Sequence, residues 1–153
     1  MIGILDYGKG NLGSVVNACA FLDLPAKIVD RAADMDACDG ILLPGQGHFG
    51  DCMAHLAEHG FVDAVRRWIE DDRAFLGICI GLQVLFESSE EAPGTPGIGV
   101  FPGSVKRFPG GPGLKVPQMG WNRVAFREGN DTFFGDIPPA SHFYFVHSYY
   151  VET

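Results

Sequence analysis

The chain has 153 residues, 46% of them apolar and 20% charged, an ordinary globular composition that excludes a disordered or fibrous protein. Against 19 Asp and Glu stand 11 Lys and Arg, a net charge of −8 whose field repels phosphate backbones and anionic lipid and so excludes nucleic acid as an expected partner. No apolar run approaches the roughly 18 residues that span a bilayer, and the chain enters a strand-like MIGIL without a basic leader, which predicts a soluble, cytoplasmic protein.

In chain order, residues 2–5 read as a short buried strand. The turn DYGKGNLG leads into a helix whose stripe Leu12, Val15, Val16, Cys19, Leu22 has helical spacing. Pro25 ends that helix, Ala26–Val29 reads as a second strand, and Gly40–Leu43 as a third, closed by PGQGHFG. These apolar runs lack alternation, which predicts strands buried on both faces. Helical patterns follow over Cys52–Glu58 and over Phe61–Ile69, where Phe61, Val62, Val65, Trp68 and Ile69 share a face. Phe75–Ile78 is a fourth strand, and GLQVLFES continues it as helix. Strands alternating with helices predict a parallel sheet. After Ser88 the texture turns Gly/Pro-rich, with strand candidates at Ser104–Phe108, Arg123–Phe126 and Phe143–Val151 that would lie antiparallel at one side of the sheet. The last of these ends at Thr153 with an open strand edge, which reads as a chain that has been cut.

Gly8, Gly10 and Gly13 match GxGxxG between a strand and a helix, with Asp30 closing the second strand, the outline of a dinucleotide-binding fingerprint. Asp6 argues against it, because a carboxylate there would face any pyrophosphate. The stretch GICIG, Gly77 to Gly81, follows an apolar strand and precedes a helical run, the pattern of a nucleophile elbow with Cys79 at its apex. Glycines two before and two after the apex relieve crowding at so sharp a turn, and the free N–H groups opening the helix favour a thiolate or an oxyanion. PGQG, Pro44 to Gly47, stands at the end of another strand, and its amides would complete an oxyanion hole with the N–H of Ile80 if the two strands are neighbours. Cys19, Cys38 and Cys52 lie far apart without CxxC spacing and suit neither zinc nor a disulfide framework. His48, His55, His59, His142 and His147 are candidates for a base, and none identifies itself. His55 and His59, four apart, lack the third ligand or glutamate of a metal site and read as a solvated helix face, so no metal is expected.

Taken together, DYGKGNLGSV, LPGQGHFGD, GICIGLQVLF, KVPQMGWN and FYFVHSYYV resemble the glutamine amidotransferase subunit of imidazole glycerol phosphate synthase, in family order over essentially the whole chain. The resemblance implies a three-layer class I glutamine amidotransferase-like α/β domain over residues 1–153, a mainly parallel sheet with helices on both faces and an antiparallel edge. It implies hydrolysis of glutamine to glutamate and ammonia, ammonia being passed to a cyclase subunit in a heterodimer of histidine biosynthesis, with no cofactor. Carried over by motif, Cys79 attacks the glutamine amide, Gly47 and Ile80 offer N–H groups to the oxyanion, and Gln83, Ser148 and Tyr149 hold the glutamine. Asn11, Lys115, Trp121 and Asn122 lie in motifs that face the partner or the ammonia exit.

Three departures stand out. Gln46 replaces a small apolar residue of the family's PGVG, which bears on oxyanion geometry, and Gln118 replaces the histidine of KVPHMGWN, which bears on the interface. The family continues past FVHSYYV to a HPE motif that completes the triad, and this sequence has no such motif, so the C-terminal part is expected to be missing and the chain inactive alone. His147 is not carried over as the base, nor Glu152 as its orienting acid. Two other readings remain at this point: a dinucleotide-binding domain using Gly8, Gly10 and Gly13, and a non-catalytic subunit that docks on the cyclase.

Overall fold

The structure, a computed structural model, describes residues 1–126 and 135–153. Its contacts group into two units, Met1–Arg107 with Tyr150–Thr153, and Phe108–Tyr149.

The first unit carries the parallel sheet. In chain order it holds β1 (Ile2–Leu5), α1 (Leu12–Phe21), β2 (Ala26–Val29), a 3₁₀ turn (Ala32–Ala37), β3 (Gly40–Gly45), α2 (Phe49–Glu58), α3 (Phe61–Glu70), β4 (Ala74–Cys79), α4 (Ile80–Gln83), β5 (Ser88–Ser89) and β6 (Ser104–Arg107). The sheet order is β2-β1-β3-β4, all pairs parallel, as expected for strands separated by helical crossovers. Pairing runs to the last residues of β3 and β4, where Gly45 stands opposite Cys79. β5 and β6 pair parallel in a second sheet whose third strand, β9 (Tyr149–Glu152), enters the unit at Tyr150.

The core draws on β1, β3, α2 and α3. Leu5, Leu43, Phe49, Leu56, Phe61 and Val65 are fully buried. In α3 the buried set Phe61, Ala64, Val65 and Trp68 follows the i, i+3, i+4, i+7 spacing of one helix face. Gly60, in the left-handed region at φ 70, lets α3 start directly after α2. At the far end of α3 the Trp68 indole N–H donates to the Ala74 carbonyl (3.0 Å), and the Arg73 guanidinium lies 3.2 Å from the Trp68 ring centroid while bonding Asp36 and the Cys38 carbonyl.

Five expectations change. Of the α1 stripe only Cys19 is buried; Val16 and Leu22 are 38% and 62% exposed. Likewise β4 is not buried on both faces, since Leu76 and Ile78 are 40% and 39% exposed, with Ile28 of β2 at 43%. An unbroken apolar run carries no mark of which face is covered. The helix after Cys79 stops at Gln83, because the next carbonyls are claimed elsewhere: Ile98 N–H bonds Val84 O (2.7 Å) and Val100 N–H bonds Leu85 O (2.8 Å). The strand expected at Arg123–Phe126 lies earlier in the chain and shares only Arg123 with that range.

That strand is β7 (Gln118–Arg123), which with β8 (His142–His147) forms the antiparallel ribbon of the second unit, Gln118 opposite His147 and Arg123 opposite His142. Cross-strand aromatic contact fixes the register, with Trp121 edge-on to Tyr144 at 5.6 Å. The single strand expected over Phe143–Val151 is two, broken at Ser148, whose carbonyl accepts from Phe108 N–H (3.0 Å). No helix among the described residues is long and apolar enough to cross a membrane.

Candidate active site

Cys79 is the last residue of β4 and the cap of α4, at φ 57 and ψ −116, a conformation that non-glycine residues rarely adopt. The flanking residues explain how the chain makes so tight a turn. A Cβ at Gly77 would run into the backbone of Gly81 and Leu82, and one at Gly81 would collide with the Leu43 carbonyl. One at Gly45 would lie 2.7 Å from the Gly81 nitrogen. Glycine is therefore required for close approach of β3, β4 and α4, and the strained φ falls on the nucleophile candidate itself. Of the four cysteines Cys79 alone is exposed.

Because β3 and β4 are neighbours, the loop Gln46–Gly47 leaves the sheet beside the elbow. Gly47 sits at φ 98, which favours glycine, and is exposed, as is Gln46. The loop is held at both ends. At its start the buried Tyr7 hydroxyl donates to the Pro44 carbonyl (2.8 Å) and lies against the Cys52 thiol (3.3 Å). At its end His48 caps α2: Nδ1 accepts from Gly50 N–H (3.1 Å), so Nε2–H donates to the Glu91 carbonyl (2.9 Å). The Glu91 carboxylate accepts from Phe49 N–H (2.8 Å). His48 is thus a structural histidine. Burial raises the Tyr7 phenol far above its ordinary range and pushes the Cys52 thiol up to about 11, so Cys52 stays protonated at neutral pH.

Gln83, at the end of α4, is 7% exposed, and its side-chain carbonyl oxygen has no partner among the described residues. A buried acceptor left open costs about 1–3 kcal/mol, which a ligand amide or ammonium would recover. Cys79, Ile80 and Gln83 are thus gathered at the paired ends of β3 and β4, and Gly47 follows two residues after β3 ends. Asn11 is the N-cap of α1, accepting from Ser14 N–H (3.1 Å). Gly8 N–H donates to the Asp6 carboxylate (3.0 Å), which uses one of the amides a dinucleotide phosphate would need.

The remaining candidates stand in the second unit. Lys115, Trp121 and Asn122 are exposed, and the Gln118 side-chain amide donates to Asn122 Oδ1 (2.7 Å). Ser148 and Tyr149 are half-buried at the junction of β8 and β9. The His147 ring donates to the Tyr149 carbonyl (2.8 Å) and meets Phe108 edge-on, which gives it a structural task. Nothing in the sequence pattern singles out Tyr7, Cys52 or Glu91. The expectation that His55 and His59 lack a carboxylate partner is corrected, since Glu58 brings a donor atom within 4.8 Å of theirs.

Comparison with known proteins bears on this geometry. Residues 3–153 match the model of the class-I glutamine amidotransferase family. Imidazole glycerol phosphate synthase subunit HisH of Desulfitobacterium hafniense DCB-2 is 48% identical over 153 residues, covering 100% of this chain and 71% of the relative. The HisH subunit of Thermosynechococcus vestitus is 48% identical over 150 residues, 98% of this chain and 71% of its own. Among solved structures, a glutamine amidotransferase superposes with a TM-score of 0.69 at 23% identity over 96% of this chain and 70% of that one, a likeness that shows the fold. With the elbow at Cys79 and the β3 loop beside it, the match over residues 3–153 means that the chain belongs to the class-I glutamine amidotransferase family.

Proposed function

We propose that this protein is the glutaminase subunit of an imidazole glycerol phosphate synthase, cytoplasmic, in a heterodimer with the cyclase subunit. The observation that carries the reading is the exposed Cys79 on a strained elbow whose strand partner, Gly45, opens the loop to Gly47. Identity of nearly half the residues to HisH subunits supports the choice of substrate and partner.

In this reading the Cys79 thiolate attacks the side-chain amide carbon of glutamine, and the N–H groups of Gly47 and Ile80 receive the oxyanion. Collapse expels ammonia, which takes the proton from the thiol by way of a base, and leaves a glutamyl thioester. Water then releases glutamate and restores the thiol. Gln83, Ser148 and Tyr149 hold the glutamine, and no cofactor enters. The base is neither His48 nor His147, whose rings are engaged. The chain spans 71% of the length of its HisH relatives, and the reading assigns the base and its orienting acid to the remainder, within the same domain. Asn11, Lys115, Trp121 and Asn122 face the cyclase or the ammonia exit.

The test is alkylation of the protein, with its cyclase subunit, by a chloroketone analogue of glutamine. Labelling of Cys79 that glutamine slows is the expected result. Labelling that is indifferent to glutamine, or that spares Cys79, would overturn the proposal.

A further inference from the structure

The last turn of α2 gathers three metal-ligating side chains that the glutaminase chemistry does not use. His55, Glu58 and His59 each offer one donor atom, and these atoms lie within 4.8 Å of one another. Helix geometry accounts for the grouping, because positions i, i+3 and i+4 share a face. The residues read His55-Leu56-Ala57-Glu58-His59, the H-x-x-E-H order in which a class of zinc enzymes presents two imidazoles from one helix.

Further observations separate this group from a chance surface cluster. The His59 ring is held in place. Nδ1 of His59 lies 2.9 Å from the His55 carbonyl oxygen, and a ring donating from Nδ1 to a backbone carbonyl presents the Nε2 lone pair, the arrangement that orients metal-bound imidazoles. The His59 ring also stacks on Phe61, with centroids 6.4 Å apart and planes at 6°. His55 is half-buried, and its ring stacks with that of His59 at a centroid distance of 6.5 Å and an angle of 28°. Glu58 is exposed and, among the described residues, has no cation paired with it. Less side-chain freedom is therefore lost on binding than for a mobile pair of surface histidines.

We propose that His55, Glu58 and His59 form a site for one divalent transition-metal ion of the zinc, nickel and copper group. Two imidazole donors select that group over magnesium or calcium, which take oxygen ligands. The outer positions of the shell are open to water. An ion there bonds the folded turn, so it clips the C-terminal end of α2 and raises the stability of the native chain by RT ln(1 + [L]/Kd), where [L] is the free metal concentration.

The site is tested by calorimetric titration of Zn²⁺ into protein whose exposed Cys79 has been blocked with iodoacetamide, so that the thiolate does not compete. One ion per chain is expected. His55→Gln and His59→Gln should each weaken binding about tenfold or more, with Glu58→Gln weakening it less. With Cu²⁺ in place of Zn²⁺, electron paramagnetic resonance should show two coupled nitrogens in the parent and one in either histidine variant. Circular dichroism confirms that each variant is folded, and the melting temperature should rise with metal in the parent and stay flat in the double histidine variant. Absence of saturable binding at millimolar Zn²⁺, or binding unchanged in both histidine variants, would overturn the proposal.

Discussion

Replacing Tyr7 with Phe tests how the candidate oxyanion loop is anchored. The ring is fully buried and its packing survives the change, so the effect isolates the hydroxyl. That hydroxyl donates to the Pro44 carbonyl at 2.8 Å and accepts from the Cys52 thiol at 3.3 Å. Loss of the first bond costs about 1 kcal/mol if water takes the place of the hydroxyl and up to about 3 kcal/mol if the Pro44 carbonyl is left without a partner. The thiol is a weak donor and adds little. A net loss of about 2 kcal/mol follows, or about 4–8 °C in melting temperature for a chain of this size. Urea unfolding measures it, with Cys52→Ala made in both backgrounds. The cost of Cys52→Ala should be smaller by about 0.5 kcal/mol when Tyr7 is already Phe. A Tyr7→Phe loss under about 0.5 kcal/mol would refute the reasoning, since the hydroxyl would then contribute nothing that water does not supply.

Strain at the elbow predicts that Cys79→Gly is more stable than Cys79→Ala by about 1 kcal/mol, because φ 57 with ψ −116 suits glycine and not alanine. Equal urea midpoints for the two would contradict a strained Cys79. Glu91→Ala should cost about 1 kcal/mol by removing the acceptor for Phe49 N–H, and Glu91→Gln, which keeps an oxygen there, should recover most of it. In alkali, Cys52 shapes the stability profile. Burial, offset in part by the bond to Tyr7, raises its folded value from an ordinary 9.0 to about 11, so the folded chain retains the proton longer than the unfolded one. Its contribution, at most about 3 kcal/mol, is whole below about pH 9 and falls away by about pH 11. Stability measured across that window should therefore decline less steeply in Cys52→Ala than in the parent, where Tyr7 acts in both.

The parts of the fold that repeat a pattern were legible. β1 and β2 have the bounds their apolar runs suggest, and α3 buries Phe61, Val65 and Trp68 of the face its spacing marks, with Val62 and Ile69 half-buried and Ala64 buried in addition. The elbow was legible because glycine is the only residue whose absence of a side chain permits the contacts made at Gly77 and Gly81. Tyr7 and Glu91 were not, since each acts across about forty residues and a single phenol or carboxylate leaves no periodic trace. β7 hides in a stretch where Gly120 and the preceding prolines weaken strand character, and only pairing with the aromatic β8 defines it. Exposure of Leu76, Ile78 and most of α1 could not be read, because apolarity states what prefers burial and not what is available to cover it. Glu58 stands in the sequence between His55 and His59, yet the pair reads there as a solvated helix face, and the closeness of the three donor atoms and the fixed His59 ring appear only in the fold.

The proposal that glutamine is opened on the sulfur of Cys79 is tested most directly by acid quenching of the protein, together with the proposed cyclase subunit, during turnover of radiolabelled glutamine. The expected result is label on the peptide containing Cys79, released as glutamate by hydroxide and absent from Cys79→Ala. Glutamate formation that persists in Cys79→Ala would contradict it.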